Sequence, residues 1–423
     1  MYFLKLFGFY SKKMVYLHSK YHLMKLIERK QYTDKLYSFK DKKIIKVITG
    51  VRRSGKSTLM QLFQRQLLNS NVDVDCIMTI NFENYDYVDL RQPKELYRYV
   101  NERLVSDKMN YIFLDEIQHV DNYADVVDAL FVKDNTDIYI TGSNAYLLSS
   151  EIATLLSGRF IEIHVLPLSF KEYVSALENV IDIDRHYSDY ITFSSFPYAL
   201  EFDGNESSIN DYIRGIYSTI VLKDVVQRNK INDALTLENL MAFISDNVGN
   251  TLSVKKITDT LSSSGKKIDF KTIEKYISAL CQSFILYPAK RYNIKGRELL
   301  KTMEKYYLVD VALRNTLLGN KKTDFGRILE NVVFLELLRR NKNVYIGKND
   351  SLEVDFVADN MKEITYYQVA ATVLDETTLE RELRALKNIN DNYPKILLTL
   401  DKTPVTYHDG IKQQNVLDWL LEK

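Results

Sequence analysis

Over the first 165 residues, short apolar runs alternate with segments whose apolar residues recur every three or four positions. Ile44 to Thr49 (IIKVIT) reads as a buried strand, and Thr58 to Leu68 places Leu59, Leu62, Phe63 and Leu67 at helical spacing. Ile77 to Asn81, Tyr111 to Leu114, Asp137 to Thr141 and Ile161 to Val165 are further predicted strands. Lys94 to Val105 and Tyr146 to Leu156 are predicted helices between them. Strands and helices in alternation indicate an α/β unit.

The pattern then changes. Ser169, with Glu172 three residues on, forms a capping box at a helix start. The helix Ile209 to Arg228 follows, as part of a helical lid or connector over 166–232. Leu237 to Val248, Ser253 to Leu261 and Asp269 to Ser283 predict three helices. Phe284 to Pro288, Tyr292 to Gly296 and Lys305 to Leu308 predict a hairpin wing after them, so 233–312 reads as a winged helix. Phe325 to Arg340 opens a last unit, 313–423, with strands at Val344 to Ile346, Leu352 to Val357 and Glu363 to Ala370.

Chemistry enters between the first strand and the first helix. Gly50, Val51, Arg52, Arg53, Ser54, Gly55, Lys56 and Ser57 match the phosphate-loop pattern G-x-x-x-x-G-K-[ST] at every fixed position. The glycines free the backbone to turn its N–H groups toward a phosphate, and the helix beginning near Thr58 adds its dipole. Lys56 is expected on the β- and γ-phosphates of ATP and Ser57 on Mg²⁺. The strand Tyr111 to Leu114 ends in Asp115-Glu116. Asp115 fits the Mg²⁺ shell, and Glu116 fits the group that orients and polarises the attacking water. Arg52 and Arg53 sit at variable positions of the pattern, leaning on phosphate or on solvent.

Composition narrows the choices. The chain of 423 residues is long enough for two to four domains, and 46% hydrophobic with 27% charged residues describes a folded protein. A net charge of +1 excludes nucleic-acid binding by the molecule as a whole, so any basic patch is local. Lys266, Lys267, Lys271, Lys275, Lys290, Arg291, Lys295 and Arg297 gather such charge on the predicted winged helix. That face fits contact with a DNA backbone or a solvated packing module equally. Cys76 and Cys281 lie far apart, which fits a reducing cytoplasm. No apolar stretch approaches the ~18 residues of a membrane span. MYFLKLFGFYSKK is interrupted by Lys5 and lacks a small-residue cleavage site, so residues 1–20 read as an extension, with Met14 and Met24 as alternative starts.

The motifs ITGVRRSGKSTLM, YIFLDEIQ, ITGSNAYLLSSEIATLLSGRF, LPLSFKEY, GRILENVVFLELLRR, EVDF and YYQVA together resemble a family of prokaryotic AAA-type ATP-binding proteins, from about Tyr21 to Lys423. In that family a winged-helix region and a C-terminal nuclease-like domain follow the ATPase domain. The resemblance implies a multidomain α/β fold whose parallel sheet has the order 5-1-4-3-2, over 21–165. It implies ATP binding and hydrolysis. Asn144, or Ser143 beside it, would be the polar sensor at the end of its strand. Arg159 would complete a neighbouring subunit's site in a homo-oligomer. The C-terminal unit resembles the restriction-endonuclease-like fold, in which Glu330, Asp355 and a following Glu-x-Lys build a metal site. Here the last pair is Gln368-Val369-Ala370, and Ala370 cannot activate water. The implied function is therefore an ATPase moving its domains on a partner such as DNA. The alternatives are a slow nucleotide switch that binds proteins and, disfavoured, an ATP-gated metal-dependent nuclease.

Overall fold

A computed structural model of the chain describes residues 26–422, apart from 146–155, 157, 178–179, 264–267, 301–302 and 320–324. Helix α1 (Lys30–Ser38) precedes β1 (Ile45–Thr49), α2 (Lys56–Asn69), β2 (Ile77–Asn81), α3 (Pro93–Asn101), β3 (Asn110–Asp115), α4 (Tyr123–Phe131), β4 (Thr136–Gly142) and β5 (Phe160–His164). The five strands form one parallel sheet in the order β2-β3-β4-β1-β5, which is the expected 5-1-4-3-2. Strands β1, β3 and β4 are buried along their whole length. Continuous apolar runs suit a sheet covered by helices on both faces. Ile45 and Val47 pack into the core on one face, with Ile112, Leu114, Ile138 and Ile140. Ile48 packs on the other with Phe63, Phe113 and Tyr139.

One residue in β1 breaks the apolar run. Lys46 is fully buried, and its ammonium pairs with Asp137 of β4. Asp137 also accepts from Tyr139 Oη at 2.9 Å and from the Asp41 N–H at 2.9 Å. A buried charge is tolerated where its partner is itself fully hydrogen-bonded. Helix α3 stops at Asn101, short of the expected Val105. The Asn110 side chain accepts from the Val105 N–H at 2.8 Å and donates to its carbonyl at 3.0 Å, which holds Val105 in a turn. The predicted helix Tyr146 to Leu156 lies, but for Leu156, outside the described residues, as do Lys266 and Lys267.

Helix α5 (Phe170–Ala176) carries the expected capping box of Ser169 and Glu172. It is followed by α6 (Ile183–Phe193) and α7 (Glu206–Thr219), which runs on into a π-helical stretch, Ile220–Gln227. Helices α8 (Ala234–Asp246), α9 (Val254–Ser262) and α10 (Phe270–Gln282) are capped by Asp233, Ser253 and Asp269. Four strands come next: β6 (Leu286–Ala289), β7 (Arg291–Asn293), β8 (Glu298–Leu299) and β9 (Lys305–Leu308). Strands β6 and β9 pair antiparallel beside the three helices, and Leu252 bridges to Glu304.

The chain ends with α11 (Ala312–Leu318), α12 (Phe325–Arg340), β10 (Asn343–Asn349), β11 (Leu352–Asp359), β12 (Ile364–Ala370), α13 (Glu376–Lys387), β13 (Lys395–Thr399), β14 (Thr406–His408), β15 (Ile411–Asn415) and α14 (Val416–Leu421). A second sheet has the order β14-β15-β13-β12-β11-β10-β7-β8. The outer part of the expected wing is thus not free: β7 pairs parallel with β10, Arg291 opposite Ile346. Gly347 permits that approach, since a Cβ there would lie 2.9 Å from Val354 and 3.0 Å from Ile294. Tyr292 stacks on Tyr345 at 5.6 Å across the same junction. One apolar core runs from Leu166 through the three helices to Leu420, so the middle and end of the chain are packed together.

Candidate active site

The site lies at the C-terminal ends of β1, β3 and β4. The chain leaves β1 at Thr49 and turns at Gly50, whose φ of 143° is closed to other residues; a Cβ there would meet the Val165 carbonyl oxygen at 2.1 Å. Gly55 is left-handed at the N-cap of α2. No side chain caps this helix and no acid lies in its first turn. Its first N–H groups therefore present an uncompensated positive end. The turn wraps around Lys56, whose Nζ donates to the carbonyls of Gly50 (3.0 Å) and Val51 (3.2 Å) and to Ser143 Oγ (2.9 Å).

The acids of β3 face this ammonium. Glu116 follows Asp115 in a left-handed conformation (φ 54°), fixed by its N–H donating to Thr141 Oγ1 at 2.8 Å. That turn aims its carboxylate at Lys56, 3.7 Å away. Ser143 Oγ donates to Glu116 Oε1 at 2.7 Å, and Gln118 donates to Oε2. Burial pushes the Glu116 carboxyl up, but Lys56, Ser143 and Gln118 outweigh it and hold it below its ordinary value. Asp115 accepts from Thr141 Oγ1 at 2.6 Å and from Asn81 Nδ2 at 2.9 Å, and it is hydrogen-bonded to Ser57. Burial raises the Asp115 carboxyl above its ordinary value, against the hydrogen bonds from Thr141 and Ser57. Burial also lowers the Lys56 amine, against the pull of Glu116 and Asp115.

Of the two polar residues after β4, Ser143 touches both Lys56 and Glu116. Asn144 is buried next to it, and the following Ala145 N–H donates to the Gln282 carbonyl at the end of α10. Arg159 is not brought to this site. It precedes Phe160, which pairs with Ile45 at the opposite end of the sheet, roughly 15 Å away at 3.3 Å per strand residue. There it pairs with Asp128, not with Glu162. Arg52 leaves the loop toward Asp224 and Glu83.

Sequence reasoning missed several residues around the loop. Arg29 is buried behind it, donating to the Ser54 carbonyl (2.9 Å), the Leu166 carbonyl (2.8 Å) and both oxygens of Glu172 (3.0 Å each). His164 ends β5, bonded to Thr49 Oγ1 (3.0 Å) and Tyr287 Oη (2.8 Å), and burial pushes it down to about 4, so it is neutral. Neither lies in a motif, and Glu172 is expected only as the capping-box partner of Ser169.

A second charged cluster lies in the C-terminal sheet. The structure does bring Glu330 and Asp355 to one place, but Lys305 of β9 stands among them. Its Nζ lies 2.9 Å from Glu330 Oε1 and 2.8 Å from Glu353 Oε1. Gln368 turns to Glu382 (2.8 Å) and to the Asp355 N–H (3.3 Å). Burial, and then Glu330, push Asp355 up to about 8. Among the described residues, no group of three or more His, Cys, Asp or Glu is placed to hold a metal.

Residues 42–174 match a family model described as an AAA domain, and residues 184–324 match a domain of unknown function. An uncharacterised protein of Haemophilus influenzae is 41% identical over 402 residues, covering 94% of this chain and 99% of its own. One of Methanocaldococcus jannaschii is 32% identical over 86% of this chain and 82% of its own. A Walker-type ATPase of Pyrococcus abyssi shares the fold at 15% identity and a TM-score of 0.50, over 69% of this chain and 95% of that one. No helix among the described residues is long and apolar enough to cross a membrane.

Proposed function

The chain belongs to the family of the Haemophilus influenzae protein, with an AAA domain at residues 42–174, and on that footing we propose that it binds ATP with Mg²⁺ and hydrolyses it, coupling nucleotide state to movement of its helical and C-terminal units on a partner. The carrying observation is that Lys56, Ser143 and an ionised Glu116 converge beside an uncapped helix N-terminus. The groups fit the ligand. The Gly50 turn leaves no room for a Cβ, and the buried Ser54 Oγ has no protein partner. The first-turn N–H groups of α2, through Thr58, take phosphate oxygens. Ser57 and Asp115 would hold Mg²⁺, which would supply positive charge against the phosphates. Lys56 exchanges two loop carbonyls for phosphate oxygens. Glu116, kept below its ordinary pKa, accepts the proton of the attacking water, and Ser143 fixes its orientation.

DNA is the partner favoured by the exposed lysines of α10, Lys271 and Lys275, on a unit of three helices and a β6–β9 pair that reads as a winged helix. Contact would fall on the helix, because β7 is occupied by β10. The α12-β10-β11-β12-α13-β13 unit reads as restriction-endonuclease-like, and Lys305, seated among Glu330 and Glu353, argues against a nuclease centre there. Lys56→Ala should lose nucleotide affinity, and Glu116→Gln should bind ATP without hydrolysing it. Unchanged ATP binding in the first variant sinks the phosphate site; normal turnover in the second removes Glu116 as the base. ATPase activity raised by DNA, and falling steeply with salt, separates a DNA motor from a protein-binding switch.

A further inference from the structure

Arg52 is the residue of the loop whose contacts lead out of the sheet. Its Nε donates to Asp224 Oδ2 at 2.7 Å and its Nη2 to Oδ1 at 3.3 Å, a two-point grip. Its Nη1 donates to Glu83 Oε1 at 3.1 Å. Asp224 is buried, 3% exposed, so this guanidinium is the charge that balances it. Asp224 lies within the π-helical stretch Ile220–Gln227 that continues α7. A π-helical stretch inside a helix is rare and sits disproportionately at functional sites, because its wider turn is less stable than the α-helix beside it. Arg52 also belongs to the same field as the acids and amine of the site: its charge acts on Glu116 and on Lys56. Arg159, expected to complete a neighbouring subunit's site, is bound to Asp128 at the far end of the sheet.

We propose that Arg52 is the residue by which this chain distinguishes a nucleoside triphosphate from a diphosphate, releasing Asp224 to grip the terminal phosphate and so freeing the Ile220–Gln227 stretch. The inference rests on the ATP reading above. The exchange trades one two-point contact for another, and the freed Asp224 is relieved of its lost partner only as the Ile220–Gln227 stretch loosens and admits water. A guanidinium that binds one carboxylate at two points binds a phosphate in the same way, and the terminal phosphate carries more charge than Asp224. A diphosphate, held by the helix N-terminus and Lys56, ends before the guanidinium and leaves the Arg52–Asp224 pair intact. The nucleotide then acts on a helical segment of the same chain through one side chain.

The test is affinity of the full chain for ADP and for the non-hydrolysable triphosphate AMP-PNP, each with Mg²⁺, in wild type, Arg52→Gln, Asp224→Asn and Lys56→Ala. Arg52→Gln should weaken AMP-PNP by about ten- to hundredfold, the worth of a charge-assisted contact, with ADP changed by less than about threefold. Asp224→Asn removes the competing charge and should tighten AMP-PNP while leaving ADP alone. Amide exchange over 220–227 should rise on AMP-PNP in wild type and not in Arg52→Gln. Equal weakening of both nucleotides by Arg52→Gln, or weaker AMP-PNP binding by Asp224→Asn, overturns the role of Arg52 and leaves the ATP site standing. If Arg52→Gln does not fold, the Asp224→Asn result decides alone. Wild type that binds neither nucleotide sinks the ATP reading and this inference together.

Discussion

Replacing Arg29 by methionine tests how the phosphate loop is held from behind. The guanidinium is 3% exposed and makes two bonds to Glu172 and one each to the carbonyls of Ser54 and Leu166 at 3.0 Å or less. Methionine fills most of the space but leaves the Glu172 carboxylate without the cation bonded to it, with only the field of Arg339 remaining, and the Ser54 carbonyl without the Arg29 donor. Removing one partner of a buried pair costs about 3–5 kcal/mol. The transition that contains the sheet should then fall by roughly 10 °C. Thermal melting of wild type and Arg29→Met measures this, and amide exchange at 52–56 reports the loop itself. Glu172→Gln in the Arg29→Met background keeps the capping box, which accepts glutamine, and should recover part of the loss. The pH dependence has a definite sign. Burial raises Glu172, but Arg29 outweighs burial and holds it below its ordinary value. Its contribution is present above the unfolded pKa of about 4.3 and is lost as pH falls through the folded value. The gap between wild type and Arg29→Met should therefore narrow below about pH 4. A melting shift within about 1 °C, or no recovery by Glu172→Gln, refutes the reasoning.

Gly50→Ala puts a Cβ 2.1 Å from the Val165 oxygen at a φ of 143°, so the loop must move; nucleotide binding should be lost while far-UV circular dichroism is kept, and unchanged affinity would contradict the geometry. Asp355, pushed up to about 8 by burial and Glu330, is protonated in the folded state at pH values where the unfolded chain ionises it. Wild type should lose stability as pH rises from about 4 to 8, and Asp355→Asn should lose less, so parallel denaturation curves across that window would remove the effect. Arg159 lies at the wrong end of the sheet to serve its own site; mixing Arg159→Ala with Glu116→Gln subunits should restore ATPase activity if a neighbour supplies it, and no rescue in a shown mixed assembly counts against that role.

The phosphate loop and the Asp115-Glu116 pair were legible because each depends on residues close in sequence; the order of the parallel sheet, which joins strands far apart, followed only from the family resemblance. A glycine turn between a strand and a helix, or two acids at a strand end, carries its geometry with it. The contacts that complete the site were not legible, since they join residues far apart: Arg29 to Glu172, Arg52 to Asp224, Ser143 to Lys56. Ser143 and Asn144 are neighbours at one strand end, and only the turn after Gly142 decides which hydroxyl or amide meets the ammonium. The strands expected to form a wing show the same limit. Their alternation marks them as strands, but a strand's pattern does not name its partner, and β7 found β10.

By itself, then, the sequence determined the loop, its acids and the alternation of strands and helices, because these rest on local backbone freedom and side-chain period. Tertiary structure alone decided which charges are balanced. Lys46, inside an apolar run, is buried because Asp137 meets it from the neighbouring strand. Lys305 occupies the acidic cluster of another unit. A charge can leave water only where an opposite charge is waiting, and which residue waits is settled by the fold.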